Sequence, residues 1–279
     1  MPEVTNGDDT NHYLDEGAGE QVLLIHGHTQ DRRISDGVMG SLIGEGLRVI
    51  RPVLRGHRAS TRPPSGYHHS HHAEDMAAVL GDAGLDRATI VGYSVGGAIA
   101  LEMAITKPER VTALVLASPV MPDRPFEKAF MDCIRQVART ARGEGIQAAM
   151  EGPWGECPLF EHSFTKPGIR EAAEAITRDF PGAEYLATER DVVERSWTVP
   201  DRLPEIAVPA RVIAGAKETP GFIAYAEEAA AGIPGAELEL FSDCGHLLPL
   251  EEPDKVARTI LAAAPDIDPN ATRPIAIQP

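Results

Sequence analysis

The chain has 279 residues, of which 42 are acidic and 26 are lysine or arginine, and its formal net charge is −16 at pH 7. A chain of this length can bury one large core, whereas the negative charge argues against binding to nucleic acid or to an anionic membrane surface, because both would repel it. Its three cysteines, an odd number without C-x-x-C spacing, predict neither a disulfide framework nor a zinc site.

Between residues 21 and 118, short apolar runs alternate with stretches in which apolar residues recur at helical spacing. Alternating strands and helices are typical of a parallel, doubly wound sheet, and strands that are apolar throughout are typical of burial on both faces. The predicted strands are 21–25, 47–54, 89–92 and 111–117, and the predicted helices are 36–46, 73–83 and one that follows residue 94.

The alternation stops between residues 119 and 201, where prolines separate helical patterns and no apolar strand is predicted. We expect this segment to form a helical cap with helices at 126–142, 169–178 and 184–195. Strands at 210–215 and 236–241 and helices at 222–232 and 254–264 then complete the predicted core. The predicted division is an α/β core of residues 1–118 and 202–264, a cap of residues 119–201, and a disordered tail of residues 265–279.

A Gly-x-Ser-x-Gly sequence lies where one predicted strand is followed by a helix. Gly92 and Gly96 flank Ser94 in the segment Gly92-Tyr93-Ser94-Val95-Gly96. A sharp strand-to-helix turn needs small neighbours, and glycine lacks the Cβ atom that would clash there. Such a turn lifts the Ser94 hydroxyl above the sheet and directs a helix N-terminus at any anion formed beside it. We interpret Ser94 as a nucleophile; the same pattern also occurs in turns that hold phosphate or have no chemical role.

Four separated stretches make the sequence resemble the α/β-hydrolase family, and the resemblance covers nearly all of the chain outside the cap and the tail. They are His26-Gly27-His28 after an early strand, the Ser94 turn, an acidic residue after a late strand, and Gly245-His246 near the end. Serine, acid and histidine follow one another in the order that this family's catalytic triad uses. The resemblance implies an α/β-hydrolase fold, with a mostly parallel, doubly wound sheet and an inserted helical cap.

The resemblance assigns the catalytic base to His246, in a loop that follows a strand at the same edge of the sheet as Ser94. A serine hydroxyl is a poor nucleophile unless a base takes its proton as it attacks. The acidic residue of the triad departs from the family pattern. Glu218 stands three residues after Gly215, at the end of a predicted strand, where the family commonly has an aspartate. A glutamate can orient the imidazole if its extra methylene is accommodated. The alternatives to Glu218 are Asp123 or Glu127 at the start of the cap, or no working acid.

The resemblance also implies an oxyanion hole formed by the backbone N–H groups of His28 and Val95. Backbone donors impose no side-chain requirement, so this assignment rests on position, and the His28 side chain either faces the pocket or fills a loop. A nearby loop departs from the family pattern, since Val53 occupies its aspartate position and Arg58 its second glycine position. These changes leave the predicted triad intact; they either reshape the pocket wall or have little effect.

Several other conspicuous residues are given no catalytic role. The stretch His68–His72 has the composition of a metal site, but the serine constellation needs no metal, and we interpret it as a solvated loop. No cofactor is predicted, because the sequence has no Gly-x-Gly-x-x-Gly stretch and no carboxylate–histidine metal set. Cys244 is interpreted as a packed small residue. The cap aromatics are expected mainly to pack the cap, with one or two lining the pocket: Trp154, Phe160, Phe164 and Trp197.

These features imply a serine hydrolase that cleaves a carboxylic ester or lactone of a small, mainly apolar substrate through an acyl-enzyme on Ser94. A serine in place of an aspartate argues against the dehalogenase and epoxide-hydrolase branches of the family. Because fold does not determine reaction, hydrolysis of a carbon–carbon bond, perhydrolysis, acyl transfer and lyase chemistry remain alternatives. Outside enzymes, the alternative is a ligand-binding module with a vestigial triad.

Residues 1–20 lack the basic and apolar segments of a signal peptide, and no apolar run reaches the roughly 18 to 20 residues that a membrane helix needs. We therefore expect a cytoplasmic protein without a membrane or nucleic-acid partner, whose partner is a small-molecule substrate. The sequence leaves homo-oligomerisation open.

Overall fold

The computed structural model describes residues 1–189, 191 and 193–264, so that the predicted tail of residues 265–279 lies outside the described residues. Within them, eight strands form one sheet. The strands are β1 (Glu3–Asn6), β2 (Asp9–Gly17), β3 (Glu20–Ile25), β4 (Leu47–Val53), β5 (Ala88–Tyr93), β6 (Val111–Ala117), β7 (Ala210–Gly215) and β8 (Glu237–Phe241).

The order of the strands across the sheet is β1-β2-β4-β3-β5-β6-β7-β8. β2 runs antiparallel to both β1 and β4, and every other neighbouring pair is parallel. This confirms the predicted mostly parallel, doubly wound sheet. Parallel strands end at the same edge of a sheet, which is where open α/β folds place their ligands. The residues that directly follow β5, β6, β7 and β8 are therefore brought to one edge.

The core of the sheet is built from the runs that the sequence showed as apolar. All six residues of β5 are buried, and four of the six residues of β3 are buried. β8 differs, because it lies at the edge of the sheet and only Phe241 of its five residues is buried. Burial on both faces therefore holds for the central strands and not for β8.

Helices cover the sheet and form a separate group between β6 and β7. The α-helices of the described residues are α1 (Asp36–Gly44), α2 (His69–Asp82), α3 (Val95–Thr106), α4 (Lys128–Gly143), α5 (Ile146–Ala149), α6 (Ile169–Thr177), α7 (Ala183–Leu186), α8 (Val199–Arg202), α9 (Pro220–Gly232), α10 (Leu248–Glu251) and α11 (Pro253–Ala263). None of them is long and apolar enough to cross a membrane. Helices α4 to α7 lie in the segment predicted as a cap, and α8 begins there and ends one residue beyond it; the boundaries of the cap as a domain remain a prediction.

The histidine stretch was wrongly predicted to be a solvated loop. His68 caps α2, its ring nitrogen accepting the Ser70 N–H at 3.3 Å, and the next residues form the first turn of the helix. His72 is buried, with 4% of its surface exposed, and His69 lies 3.2 Å from the buried carboxylate of Glu102. His68 and His69 thus have polar partners within the fold and His72 is buried, none of which the sequence revealed.

The predicted helix 184–195 was also wrong in extent, because α7 ends at Leu186. Beyond that point the chain pairs with the loop that precedes α2. The Glu189 N–H donates to the Pro64 carbonyl at 3.1 Å, and the Asp191 carboxylate accepts the N–H groups of Gly66 and Tyr67. These contacts to a distant loop replace the local hydrogen bonds that a longer helix would make.

Candidate active site

Ser94 lies in the turn between β5 and α3, with φ of 55° and ψ of −116°. A positive φ is strained for a residue that has a Cβ atom, so the surrounding structure must hold it in place. The Ser94 N–H donates to the Ala117 carbonyl of the neighbouring strand at 2.9 Å. A Cβ on Gly92 would overlap the Gly96 carbonyl oxygen, and a Cβ on Gly96 would overlap the Ile25 carbonyl oxygen. Both glycines of the motif are therefore required by close backbone contacts.

The three residues predicted as a triad lie in one hydrogen-bonded chain. His246 Nε2 is 3.1 Å from Ser94 Oγ, and His246 Nδ1 is 2.9 Å from Glu218 Oε2. All three residues are buried, with 6% of Ser94, 2% of His246 and 7% of Glu218 exposed. With a proton on Nδ1 directed at the carboxylate, Nε2 is the acceptor that faces the serine hydroxyl.

The Glu218 carboxylate has partners on both of its oxygens. While Oε2 faces His246, Oε1 accepts hydrogen bonds from the Ser118 hydroxyl and from the Gly215 N–H, the latter at 3.1 Å. Ser118 is fully buried and directly follows β6. The sequence showed only that this position is not an acid; its hydroxyl role was missed, because it depends on the packing of β6 beside β7.

The two alternative acids lie elsewhere. The Asp123 carboxylate pairs with Arg195 and accepts the Val199 N–H at 2.9 Å. The Glu127 carboxylate accepts the Gly221 N–H at 3.3 Å. Each of these carboxylates is engaged by a partner other than His246, so Glu218 is the acidic residue that the structure brings to the imidazole.

Residues that the sequence did not single out hold His246 in position. The Tyr93 hydroxyl donates to the His246 carbonyl at 2.9 Å, and the Phe222 ring packs edge-on against the imidazole at 4.7 Å between centroids. The side chain of Glu251 is fully buried, and its carboxylate accepts hydrogen bonds from the two residues that flank His246. These are the Gly245 N–H at 3.0 Å and the Leu247 N–H at 3.1 Å. Both ends of the histidine loop are thereby fixed to α10.

The two residues predicted to supply the oxyanion hole line the same cavity as Ser94. Val95 is the first residue of α3, and first-turn N–H groups of a helix have no intrahelical acceptor. His28 follows β3, the strand next to β5, and its side chain also faces the cavity. Of the two orientations considered for that side chain, the structure has the pocket-facing one.

The cavity above Ser94 has a volume of about 240 Å³ and a mostly apolar lining. Trp154 and Phe160 line it, and their rings pack edge to face at 5.1 Å, so these aromatics also pack against each other. Phe164 packs against Phe160, and Trp197 lies beneath the Arg195 guanidinium. The other lining residues are His28, Gln30, Tyr67, Val95, Val120, Phe126, Phe130, Ile134, Leu159, Glu184, Tyr185, Phe222 and His246.

Two further residues that the sequence singled out, Arg58 and Cys244, are not part of the hydrogen-bonded chain of the triad. Arg58, at the family's glycine position, has a φ of 40° and pairs with Asp31 at 3.1 Å and with Asp179 at 2.7 Å. Its side chain thus ties the loop after β4 to the end of α6. Burial raises the pKa of the Cys244 thiol to about 12, as expected for a packed residue. Among the described residues, no cluster of His, Cys, Asp and Glu is arranged to hold a metal ion.

Comparison with known proteins identifies the family. Residues 22–259 match the Alpha/beta hydrolase family, and since this match spans most of the chain, the protein belongs to that family. The 2-hydroxymuconate semialdehyde hydrolase of Pseudomonas putida is 28% identical over 278 residues, which cover 88% of this chain and 87% of that protein.

Two solved structures extend the likeness to the whole fold. Est816, described as an N-acyl homoserine lactone degrading enzyme, matches with a TM-score of 0.76 at 26% identity, over 94% of this chain and 99% of its own. A thermophilic esterase from Thermogutta terrifontis matches with a TM-score of 0.75 at 26% identity, over 93% of this chain and 96% of its own.

Proposed function

We propose that the protein is a serine hydrolase that cleaves a carboxylic ester or lactone of a small, mainly apolar substrate through an acyl-enzyme on Ser94. The observation that carries the proposal is the hydrogen-bonded chain from Ser94 through His246 to Glu218 at the floor of an aromatic cavity. The described lactone-degrading and esterase activities of the two structural relatives support this choice of substrate class.

In the first half of the reaction, Ser94 Oγ attacks the carbonyl carbon of the substrate while His246 Nε2 takes the hydroxyl proton. Charge develops on the carbonyl oxygen, and the backbone N–H groups of His28 and Val95 stabilise it, because they are in place before the reaction begins. Glu218 stabilises the imidazolium through Nδ1. His246 then gives its proton to the leaving alcohol oxygen as the carbon–oxygen bond breaks, which leaves the acyl group on Ser94.

In the second half, a water molecule attacks the acyl carbon and His246 Nε2 takes the proton that the water loses. Collapse of the tetrahedral species breaks the bond between the acyl carbon and Ser94 Oγ, and the imidazolium returns its proton to the serine. The carboxylic acid product leaves, and the chain Ser94–His246–Glu218 is restored. Every step uses groups of the described site and water.

Covalent labelling tests the nucleophile. We expect a fluorophosphonate probe to label the folded protein at Ser94, and Ser94→Ala to abolish labelling and to lower kcat on p-nitrophenyl butanoate by about 10⁵- to 10⁶-fold. Ser41→Ala, at an exposed position of α1, is the matched control and should retain both. A folded protein that is not labelled at Ser94, or a Ser94→Ala variant that keeps its activity, would refute the proposal. If the protein cleaves a diketone in a Ser94-dependent reaction but does not turn over esters, the proposed reaction changes from ester hydrolysis to carbon–carbon bond hydrolysis.

A further inference from the structure

The aromatic cavity above Ser94 carries a polar patch whose side chains the proposed mechanism does not use. His28, Glu184 and Tyr185 form this patch, which we call the polar wall; Glu184 and Tyr185 are consecutive residues of α7. The rings of Trp154 and Phe180 pack edge-on against the His28 imidazole, each at 5.5 Å. Polar groups placed in an apolar pocket fix the orientation and the identity of a ligand, because leaving them unpaired is costly.

Within the polar wall, one ring nitrogen of His28 is close to both of the other residues. His28 Nε2 lies 3.2 Å from Glu184 Oε1 and 2.7 Å from the Tyr185 hydroxyl oxygen. Burial by itself raises the pKa of Glu184, but the adjacent His28 imidazole and its hydrogen bond hold that pKa below the usual range, so the carboxylate is ionised. The ionised carboxylate 3.2 Å from Nε2 attracts an N–H and repels a nitrogen lone pair, which favours the tautomer with the hydrogen on Nε2.

The same proton assignment leaves a donor on Tyr185. In this tautomer the Tyr185 oxygen, 2.7 Å away, accepts the hydrogen bond from Nε2, which leaves the phenolic hydrogen for another acceptor. The Glu184 side chain is 32% exposed, and a carboxylate has about four acceptor positions. Among the described residues, only His28 lies within hydrogen-bond or ion-pair distance of this carboxylate. The polar wall therefore presents a charged acceptor and a neutral donor to the cavity.

The acceptor and the donor lie on the same side of the cavity, because both are within 3.2 Å of one nitrogen atom. An alcohol oxygen can donate one hydrogen bond and accept another, and it joins partners up to about 4.5 Å apart. A secondary amide is a poorer match, since its N–H and C=O point in opposite directions. An alkyl group at this place would leave both protein groups without a partner.

We propose that the polar wall is a subsite for a hydroxyl group of the substrate, so that the substrates are hydroxylated esters or lactones. The proposal rests on the proposed function, which places the scissile carbonyl at Ser94. His28 supplies the oxyanion N–H from its backbone and the polar wall from its side chain. The hydroxyl therefore lies about one histidine side chain from the carbonyl oxygen, which corresponds to roughly three to five bonds from the carbonyl carbon.

Matched ester pairs, in which a methyl group replaces the hydroxyl, test the subsite. The pairs, whose hydroxyl oxygen lies four or five bonds from the carbonyl carbon, are ethyl 3-(hydroxymethyl)benzoate with ethyl 3-ethylbenzoate, 2-hydroxyethyl benzoate with propyl benzoate, and 3-hydroxypropyl benzoate with butyl benzoate. We expect the hydroxylated member of at least one pair to have a kcat/KM about 10- to 100-fold higher, as for a hydrogen bond to a charged group. Glu184→Leu should bring this ratio to within about threefold of one, and Tyr185→Phe should lower it.

Tyr67→Phe is the matched control, because Tyr67 lines the same cavity but donates its hydroxyl to the Pro63 carbonyl at 2.7 Å. It should leave the ratio unchanged. Equal kcat/KM values within every pair, or a preference that survives Glu184→Leu, would overturn the subsite while leaving the proposed function intact.

Binding of the same ester pairs to Ser94→Ala, measured by calorimetry, tests the hydroxyl subsite without turnover of the esters. We expect the hydroxylated member of the preferred pair to bind about tenfold more tightly, and Glu184→Leu in that background to remove the difference. A protein that binds in this way but hydrolyses none of the esters would refute the proposed function alone. Equal binding of both members of every pair would refute the subsite.

Discussion

Replacing Glu218 by glutamine changes the hydrogen-bond pattern of the site without changing the size of the side chain. Oε1 of Glu218 receives the Ser118 hydroxyl and the Gly215 N–H, so the amide oxygen of the replacement occupies this position. Its NH₂ group then faces His246 Nδ1 and can only donate. The imidazole must place its hydrogen on Nε2, and that nitrogen can no longer accept the proton of Ser94.

The expected cost follows from this wrong tautomer. Loss of the correctly oriented base lowers kcat by about 10³- to 10⁴-fold, which corresponds to about 4 to 5.5 kcal/mol of transition-state stabilisation. KM should change little, because Glu218 does not border the cavity. The folded state should persist, since Ser118 and Gly215 both keep an acceptor.

The assay compares kcat and KM of Glu218→Gln with those of Asp123→Asn and Glu127→Gln, using p-nitrophenyl butanoate and thermal denaturation in parallel. These two variants alter the carboxylates that the sequence left as alternative acids, and both should retain kcat within about threefold of the parent. The reasoning is wrong if Glu218→Gln keeps more than a tenth of the parent kcat. It is also wrong if either control variant, still folded, loses more activity than Glu218→Gln.

Two further predictions concern buried groups around the site. Ser118→Ala should lower kcat about tenfold at nearly unchanged KM, and should lower the unfolding free energy by about 1 to 3 kcal/mol, because water cannot replace a hydroxyl that is fully buried against Glu218. A folded variant with the parent kcat would contradict this role. Burial lowers the pKa of His72 from 6.5 to about 4, so the unfolded chain binds the proton first, and stability present above pH 6.5 is lost as the pH falls towards 4. Between pH 7.5 and pH 5 this single group should cost about 2 kcal/mol of unfolding free energy, measured by urea denaturation. His72→Gln should remove that part of the loss and His71→Gln in the same turn should not; identical pH dependence of all three proteins would exclude His72 as the cause.

The sequence predicted the central sheet because its strands are apolar along their whole length. It did not predict β1 and β2, since only Asn11 and Tyr13 of β2 are buried and β1 has no buried residue. β1 is held by antiparallel main-chain pairing with β2. β2 is held by antiparallel pairing with β4 and by contacts such as the Tyr13 hydroxyl donating to Asp82 at 2.6 Å. A polar segment that pairs through its backbone leaves no apolar periodicity to detect.

The candidate site likewise contains residues that the sequence could predict and residues that it could not. Ser94, His246 and Glu218 could be proposed because the resemblance to the family assigned their roles and each follows a predicted strand, and parallel strands deliver such residues to one edge. Ser118 also follows a strand, but its role depends on which strand lies beside β6. The polar wall was not predicted, since Glu184 and Tyr185 belong to a short helix that no pattern connects with His28. Chain order locates residues at strand ends, and it does not locate residues that reach the site from the helices between β6 and β7.

The glutamate at the acid position is explained by the turn that carries it. The Glu218 N–H donates to the Gly215 carbonyl at 3.2 Å, and its carboxylate folds back to accept the Gly215 N–H. The Lys217 N–H donates to the Cys244 carbonyl at 2.9 Å, so the acid turn lies directly against the histidine loop. An aspartate is shorter by one methylene, about 1.5 Å, and could not hold the Gly215 N–H and His246 together. The longer side chain of Glu218 therefore lets one carboxylate bridge the Gly215 N–H of its own turn and the His246 imidazole of the neighbouring loop.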